Sequence, residues 1–507
     1  MTTLRRIALE VAVFLCGAVV MIYEIIGSRL VSPYIGSSTY IWTSLIGVIL
    51  GSLSFGYWFG GRLADRKPDI RYLASIIFQA AALISITTLI KDIFLGAIAA
   101  TAAMLEVKAV IAAIVLFAPA SIFLGMVTPY AVKLKMLSLT ESGRTVGNLY
   151  ALSTIGSIVG TFAAGFFLVP VVGSVRTLYL ISAVLFGVAV MLFPLKVSAT
   201  NIAALMVFVV GISVSEATKP YLYQQNELID IDTEYSRVQV FRTTDPITSR
   251  PIRVFATDPY FAQSGVFYDS DEPVFPYARF YDLVRHFNPD FQRTLMLGGG
   301  GFTYPRKFVK SYPQATIDVV EIDPQIDDIA HKYFRLKDDP RMHVFHEDGR
   351  AFLNRTPSES YDAIFIDAFA SLFTVPYQLT TKEAVEEMYN ALNRRGVVVA
   401  NIGASISGDA SKFLNAEIAT YRSIFSTVMI FKVRPERNDD DLQNIILVAS
   451  KSDTLKNLNS TDPEVTEMLG HICSKPIETS LPPLTDDLAP VEYYNSLAQS
   501  YFMRNRN

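Results

Sequence analysis

Seven apolar runs fill the first 217 residues, at about 7–26, 41–61, 72–90, 107–127, 148–170, 175–194 and 199–216, each close to the length a helix needs to cross hydrocarbon. Beyond them, short apolar strands alternate with charged segments, the pattern of a water-facing fold. The apolar content of 51% over 507 residues therefore averages two unlike halves. The expected fold is a multi-pass α-helical membrane domain (1–217) followed by an α/β domain. A linker with a small antiparallel β-rich lead-in (218–290) would join them, with the α/β domain over 291–495 and a tail over 496–507.

In the apolar half, Ile93–Leu105 is short for a span and is expected to be re-entrant or interfacial. The first run does not read as a cleaved signal peptide, because Glu10 and Glu24 interrupt it and no small-residue cleavage site follows. Acids inside a span are expensive and keep both residues of interest. Glycines recur at a spacing of four in Gly47/Gly51, Gly56/Gly60 and Gly156/Gly160, with Gly61 and Gly165 nearby, which predicts closely packed helices.

Arg5, Arg6, Arg62, Arg66, Lys67, Arg71, Lys133, Lys135 and Arg144 put the N-terminus in the cytoplasm by the positive-inside rule. Seven spans would then deliver the soluble half to the opposite face. A nucleoside-using enzyme is expected to face the cytoplasm, and that chemical argument favours a cytoplasmic domain on a plasma or inner membrane. The two expectations conflict.

The net charge of −4 gives no basic footprint for nucleic acid. Two cysteines, Cys16 and Cys473, do not make a disulfide framework. His343 and His346 are badly spaced for a metal cage and read as strand residues, so no metal is expected.

The soluble half is organised by Thr294–Asp323: an apolar run, the glycines 298–301, a helical segment, a second apolar run and a closing acid. This is a βαβ unit in which glycines let the backbone approach a ligand and the acid accepts hydrogen bonds from ribose. Residues 234–266 alternate with turn signals, as a small antiparallel sheet does. A helix with Tyr277, Phe280, Tyr281 and Val284 on one side is expected next. Asp323–Pro324 opens a helix to about Arg335, Met342–His346 is a strand ending at Asp348 and Gly349, and Tyr361–Asp367 is a buried strand with an acid at its tip. Thr380 or Thr381 caps a helix that Gly396 closes, Val397–Ile402 is a strand, and Asn444–Ser450 is a late antiparallel strand. Ligands in such sheets bind beyond the carboxyl ends of the strands, where Gly298, Gly299, Gly300, Glu321, Asp323, Asp348 and Asp367 gather. No Gly-Lys-Ser/Thr follows the glycines and the last glycine of a dinucleotide fingerprint is missing. The stretch is more similar to the class I methyltransferase-like (Rossmann-like) fold, a resemblance that implies a sulfonium nucleoside as ligand.

LGGG at Leu297–Gly300, VVEIDP at Val319–Pro324, DPRMHVFHEDGRAFL at Asp339–Leu353, YDAIFIDAF at Tyr361–Phe369 and TDDLAPVE at Thr485–Glu492 together resemble the spermidine synthases, or polyamine aminopropyltransferases. PYIGSSTYIW at Pro33–Trp42 and GGRLADR at Gly60–Arg66 resemble their membrane-fused subgroup. The resemblance implies decarboxylated S-adenosylmethionine or S-adenosylmethionine as co-substrate. It assigns Glu321 to ribose, Asp348 with Gly349 to adenine, and Asp367 to proton removal from the attacking amine. Gln263, Tyr277 and Tyr377 become candidate acceptor contacts, and a homodimer is an expected assembly.

The sequence departs from the family on the acceptor side. Gly301 stands where the family has an aspartate that grips the amine, and Asp367-Ala368-Phe369-Ala370-Ser371 lacks the second acid of the family's DSxDP. Tyr235-Ser236 and Tyr277-Ala278 replace pairs that carry an amide or imidazole. A dication loses its electrostatic hold in such a site, so the acceptor is expected to be an amine other than plain putrescine. Phe302, Tyr304, Phe369, Phe373 and Tyr377 suggest an apolar mouth and a membrane-associated acceptor. Gly301 also removes a charge that would repel a carboxylate, which makes a methyltransferase using S-adenosylmethionine the alternative. A non-catalytic membrane scaffold is a third reading.

Overall fold

Residues that favour a continuous apolar helix dominate the first half, and the chain responds with eight helices. They are α1 (Thr3–Ile35), α2 (Thr39–Arg66), α3 (Ile70–Ala99), α4 (Leu105–Leu116), α5 (Ala118–Lys135), α6 (Ser142–Ala163), α7 (Ser174–Leu192) and α8 (Ala199–Asn226). The computed structural model describes residues 3–505 except 37, 102, 137–141, 195–198, 258–261, 369–373, 453–457, 474–476 and 478. The chain divides into two compact units, Met1–Gln225 with Asp232–Glu234, and Asn226–Ile231 with Tyr235–Asn507.

Within the helical unit, α1, α2, α3, α6 with its continuation, and α7 are each long and apolar enough to cross a membrane. The pair α4 and α5 meets the same test together, across a bend of 54°. The bend falls at Phe117, two residues before Pro119, which has no backbone N–H to give a helix. In α8 the apolar stretch Asn201–Val214 is shorter. The expectation for Ile93–Leu105 is corrected: Ile93–Ala99 forms the last turns of α3 and Leu105 opens α4, so the stretch is no separate re-entrant segment. Its apolar residues simply continue a helix already under way. After α6 the helix widens into a π-helical stretch, Ala164–Val172, that contains Pro170.

The glycine spacing has the expected consequence at some positions. A Cβ at Gly156 or Gly160 would collide with the carbonyl oxygens of Phe14 or Ala18, and one at Gly56 with that of Ile122. These contacts hold α6 against α1 and α5 against α2. Gly47, Gly51, Gly61 and Gly165 have nothing within 4 Å of that point and take no part in packing.

The second unit begins with a four-stranded sheet, β1 (Ile229–Asp232), β2 (Arg237–Thr244), β3 (Pro251–Ala256) and β4 (Ser264–Phe267), in the order β1-β2-β3-β4. It extends the expected lead-in by one strand at its start. The helix expected around Tyr277–Val284 is instead a 3-10 helix, Pro276–Leu283, followed by a single turn, α9 (Val284–Phe287). Phe280, Tyr281 and Val284 are buried together, as their apolar surface demands.

The larger sheet collects β5 (Arg293–Leu297), β6 (Thr316–Glu321), β7 (Met342–His346), β8 (Tyr361–Ile366), β9 (Leu392–Ala404), β10 (Thr427–Lys432) and β11 (Gln443–Ser450). Its order is β10-β11-β9-β8-β5-β6-β7. Strands β5 to β9 are parallel to their neighbours among themselves, whereas β11 lies antiparallel to both β9 and β10. This mixed seven-stranded order is the Rossmann-like methyltransferase fold. Helices α10 (Thr303–Ser311), α11 (Pro324–Tyr333), α12 (Gly349–Arg355), α13 (Lys382–Ala391) and α14 (Lys412–Arg422) alternate with the strands, and α15 (Pro463–Leu469) and α16 (Val491–Asn505) follow.

Apolar residues on the two faces of the sheet feed two separate cores, one around Phe308 and Phe365 and one around Leu297 and Ile364. That double burial explains the near-continuous apolar strands. Gly396 does not close α13: that helix ends at Ala391, and Gly396 lies inside β9. There the register against β8 slips between Tyr361 and Ala363, so residues 393–396 form a bulge. Thr485–Glu492 is tied to the fold by Asp486, which accepts from Thr381 Oγ1 at 2.6 Å and from Arg350 at 3.1 Å, and by Val491, buried in the core.

Candidate active site

A cavity of about 630 Å³ opens at the carboxyl ends of β5, β6, β7, β8 and β9, the end where parallel sheets leave unpaired backbone groups and loops. The glycine loop forms its floor. Gly298 has φ +93°, and a Cβ there would collide with the carbonyl oxygen of Asp367. Its own amide donates to the Val320 carbonyl at 2.9 Å, and the Asp367 amide donates to the Leu297 carbonyl at 2.9 Å. Only glycine satisfies both the left-handed backbone and the contact. Gly300 is also left-handed, at φ +49°.

Glu321, at the tip of β6, is drawn into this loop. Its Oε2 accepts from the Gly299 and Gly300 amides at 2.9 and 3.3 Å, and its Oε1 from the Asp323 amide at 3.1 Å. Burial raises its carboxyl above the usual range, and these backbone donors oppose the rise. Asp323 caps α11 through the Gln325 amide. Asp348 caps α12 through Ala351 at 2.9 Å, and its second oxygen faces Gln378 Nε2 at 3.5 Å. Both acids therefore serve the local fold while lining the cavity.

Asp367 sits just past the end of β8, half-buried. Burial pushes its carboxyl up to about 6, against hydrogen bonds from neutral donors that pull it down. Asn401 Nδ2 donates to Oδ1 at 3.0 Å, and the Tyr277 hydroxyl donates to Oδ2 at 3.1 Å. Asn444 Nδ2 in turn donates to Asn401 Oδ1 at 3.0 Å. The result is a carboxylate that can take a proton near neutral pH, held in place by an amide relay and a phenol.

The structure brings Gly298, Gly299, Gly300, Glu321, Asp323, Asp348, Gly349 and Asp367 to one cavity, with Gln263 and Tyr277 on its wall. It does not bring Tyr377, which is 50% exposed and outside the lining. The apolar mouth needs correction as well. Phe302 is fully buried in the core, with its ring against Gly299; Tyr304 does line the cavity, though it is 2% exposed and its hydroxyl donates to Asp282 at 3.4 Å. Phe369 and Phe373 lie outside the described residues.

Gly301 also reads differently in three dimensions. It is not part of the lining, and a Cβ there would meet Ser264 Oγ at 2.7 Å. Ser264, 3.2 Å from Thr303 Oγ1, fills the space that a side chain at 301 would need, so the glycine does not enlarge the donor pocket.

Sequence reasoning missed Asn401, Asn444, Tyr281 and Gln378. A signal existed for the first two: each is an amide set in a run of buried apolar strand residues, VVVANI and NIILVA. Tyr281, whose hydroxyl donates to the Ile366 carbonyl at 3.2 Å, gave no comparable cue.

The electrostatic character is one-sided. Glu321, Asp323, Glu347, Asp348 and Asp367 line the cavity, and no Lys, Arg or His is among the described lining residues. The undescribed stretches 258–261 and 369–373, which adjoin lining residues in sequence, contain no Lys, Arg or His either. Such a site attracts cations and repels carboxylates.

Residues 279–434 match the family model of the spermine/spermidine synthase domain. The polyamine aminopropyltransferase of Vibrio vulnificus is 35% identical over 164 residues, which are 32% of this chain and 53% of that protein. The chain thus spans about half the length of this relative. The polyamine aminopropyltransferase 1 of Streptomyces coelicolor is 24% identical over 456 residues, covering 83% of this chain and 79% of that protein, so the alignment reaches into the helical unit. Among solved structures, a probable spermidine synthase from Corynebacterium glutamicum aligns over 54% of this chain and 94% of its own, at 23% identity and a TM-score of 0.41.

Proposed function

We propose that this chain, which belongs to the spermine/spermidine synthase domain family through residues 279–434, moves an aminopropyl group from decarboxylated S-adenosylmethionine to an amine other than plain putrescine. The observation that carries the reading is the cavity with five carboxylates and no cationic side chain among its described lining residues. A sulfonium nucleoside with an amine tail suits that field, whereas the carboxylate of S-adenosylmethionine finds no positive partner there. The methyl-transfer alternative draws on Gly301, which brings no carboxylate; against it stand the five acids that line the cavity.

In the reaction, Asp367 takes a proton from the acceptor ammonium and exposes the nitrogen lone pair. The nitrogen attacks the methylene carbon next to the sulfonium. A C–N bond forms, the C–S bond breaks with its pair passing to sulfur, and methylthioadenosine leaves. Glu321 and Asp348 are suited to the ribose and adenine of the donor, and the glycine loop to close approach by its backbone. Holding nitrogen and carbon in line supplies a large part of the rate. Calorimetry tests the donor choice: decarboxylated S-adenosylmethionine is expected to bind at least about tenfold tighter than S-adenosylmethionine, a difference of about 1.4 kcal/mol. Equal or reversed affinities contradict the reading.

The helical unit is read as a multi-pass membrane anchor, and contacts inside it support seven crossings. One end carries the Lys135–Glu10 pair, Lys133 with Asp65 at 2.6 Å, and Arg71 over the Phe193 ring. The other end carries the Tyr34–Asp92 bond at 2.6 Å and Lys108 on the Ala99 carbonyl at 3.0 Å. The pair α4 and α5 runs from the second end to the first, as a broken span does. Helix α8 runs back along α7, with Phe208 against Phe186 and Tyr179. Asp232 then accepts from the Ser174 amide, at the second end, at 2.6 Å.

An odd number of crossings, with the basic first end in the cytoplasm, favours the opposite face for the residues that follow, against the chemical expectation of a cytoplasmic domain. The donor would then have to be supplied on that face. Membrane-impermeant labelling of a cysteine introduced at Glu436 in intact cells is expected to succeed, and labelling only after lysis contradicts this topology.

A further inference from the structure

We infer that the Asn401–Asn444 amide pair sets the acceptor class of this site: an amine with one cationic centre and a neutral remainder, in preference to a diamine. The inference rests on the transfer reaction proposed above and deepens it.

The acids of the cavity are unevenly placed. Glu321 ends β6 and Asp323 follows it, and Glu347 and Asp348 follow β7, so four of the five stand on the side of the sheet where the donor's ribose and adenine are assigned. On the other side of the glycine loop, β8, β9 and β11 contribute Asp367, Asn401, Gly403 and Asn444 to the described lining. Asp367 is the one carboxylate among these. Its two oxygens already hold neutral donors, Asn401 at 3.0 Å and Tyr277 at 3.1 Å.

Asn401 is 5% exposed, and its carbonyl oxygen is occupied by Asn444 at 3.0 Å, so its amide nitrogen is fixed toward Asp367. The backbone register places Asn444 directly opposite Gly403, which brings no side chain. Among the described lining residues of β8, β9 and β11, an acceptor meets one full negative charge, at the reacting nitrogen, and then amide dipoles. A first ammonium is matched by Asp367. A second one, some methylenes away, leaves water for a dipole where it needs a carboxylate, and the uncompensated charge weakens binding. A neutral alkyl or hydroxyl-bearing tail carries no such cost.

The test compares matched acceptors of four carbons, n-butylamine and 1,4-diaminobutane, using full-length protein in detergent with decarboxylated S-adenosylmethionine and methylthioadenosine as readout. The wild type is expected to show a kcat/KM at least about tenfold higher for the monoamine. Asn444→Asp adds a carboxylate without changing shape and is expected to move the diamine-to-monoamine ratio about tenfold toward the diamine. Asn444→Leu removes the hold on Asn401 without adding charge; it is expected to lower kcat for both amines and leave their ratio unchanged.

A merely structural pair would lower both rates in both variants with the ratio fixed, and that result overturns the inference. Preference of the wild type for the diamine overturns it too, while leaving the transfer reaction intact. Absence of methylthioadenosine with every amine overturns the reaction and the inference together.

Discussion

The two sides of the cavity are built to different rules. On the side proposed for the donor, the carboxyl ends of β5, β6 and β7 combine left-handed glycines, a carboxylate bonded to loop amides and two acids that cap helices. Nearly every group there does two jobs, one for the fold and one facing the cavity. On the acceptor side, Asp367 stands among an amide relay and a phenol. Those groups hold a single carboxylate and add no charge. On the proposed assignment, the donor side is constrained by its own backbone, while the acceptor side can change its specificity through a few side chains.

The largest expected effect is at the boundary between the sides. Asp367→Asn removes the proton acceptor and is expected to lower kcat by about 10²–10⁴-fold, with donor affinity kept within about threefold. In the wild type the rate is expected to rise with pH through about 6, as the raised carboxyl ionises. Stability should move the other way. The folded state holds the Asp367 proton more tightly than the unfolded chain between about pH 4 and 6, so this group's contribution is present at low pH and lost as pH rises through about 6. The melting temperature of Asp367→Asn, less that of the wild type, is therefore expected to grow from pH 4 to pH 7. A flat difference would show that Asp367 is not held in its raised state.

A smaller effect separates the glycines of the donor side. Gly298→Ala must accept both φ +93° and a collision with the Asp367 carbonyl. It is expected to cost about 1–3 kcal/mol of stability and to displace Asp367 from its partners, weakening donor binding and catalysis together. The smallest effect is expected for Gly300→Ala, where φ is +49° but the space is open: about 1 kcal/mol, with binding largely kept. Equal effects at the two positions would break the claim that the donor side is a locked backbone.

The donor side was legible because its requirements are local. Glycines after a strand, an acid at the end of the next strand and Asp-Gly before a helix are spaced along the chain as they are in space. The apolar runs were legible for the same reason: helices α1 to α7 follow them, down to the packing glycines Gly56, Gly156 and Gly160. The acceptor side joins residues far apart in sequence, Tyr277 from a 3-10 helix, Asn401 from β9 and Asn444 from an antiparallel strand, and no local pattern marks such a meeting. Gly301 shows the reverse hazard. Read along the chain it was a missing charge in the pocket; in the fold its neighbour is Ser264, on a strand of the other sheet. Tyr377, expected as an acceptor contact at an apolar mouth, is 50% exposed and outside the lining.

The account turns on what the cavity does with a sulfonium nucleoside and an amine. Purified full-length protein incubated with decarboxylated S-adenosylmethionine and n-butylamine, with the products identified by mass spectrometry, tests it most directly. Methylthioadenosine together with the aminopropylated amine, both lost in Asp367→Asn, is the predicted result. Release of S-adenosylhomocysteine from S-adenosylmethionine, with no methylthioadenosine from the decarboxylated donor, would contradict it.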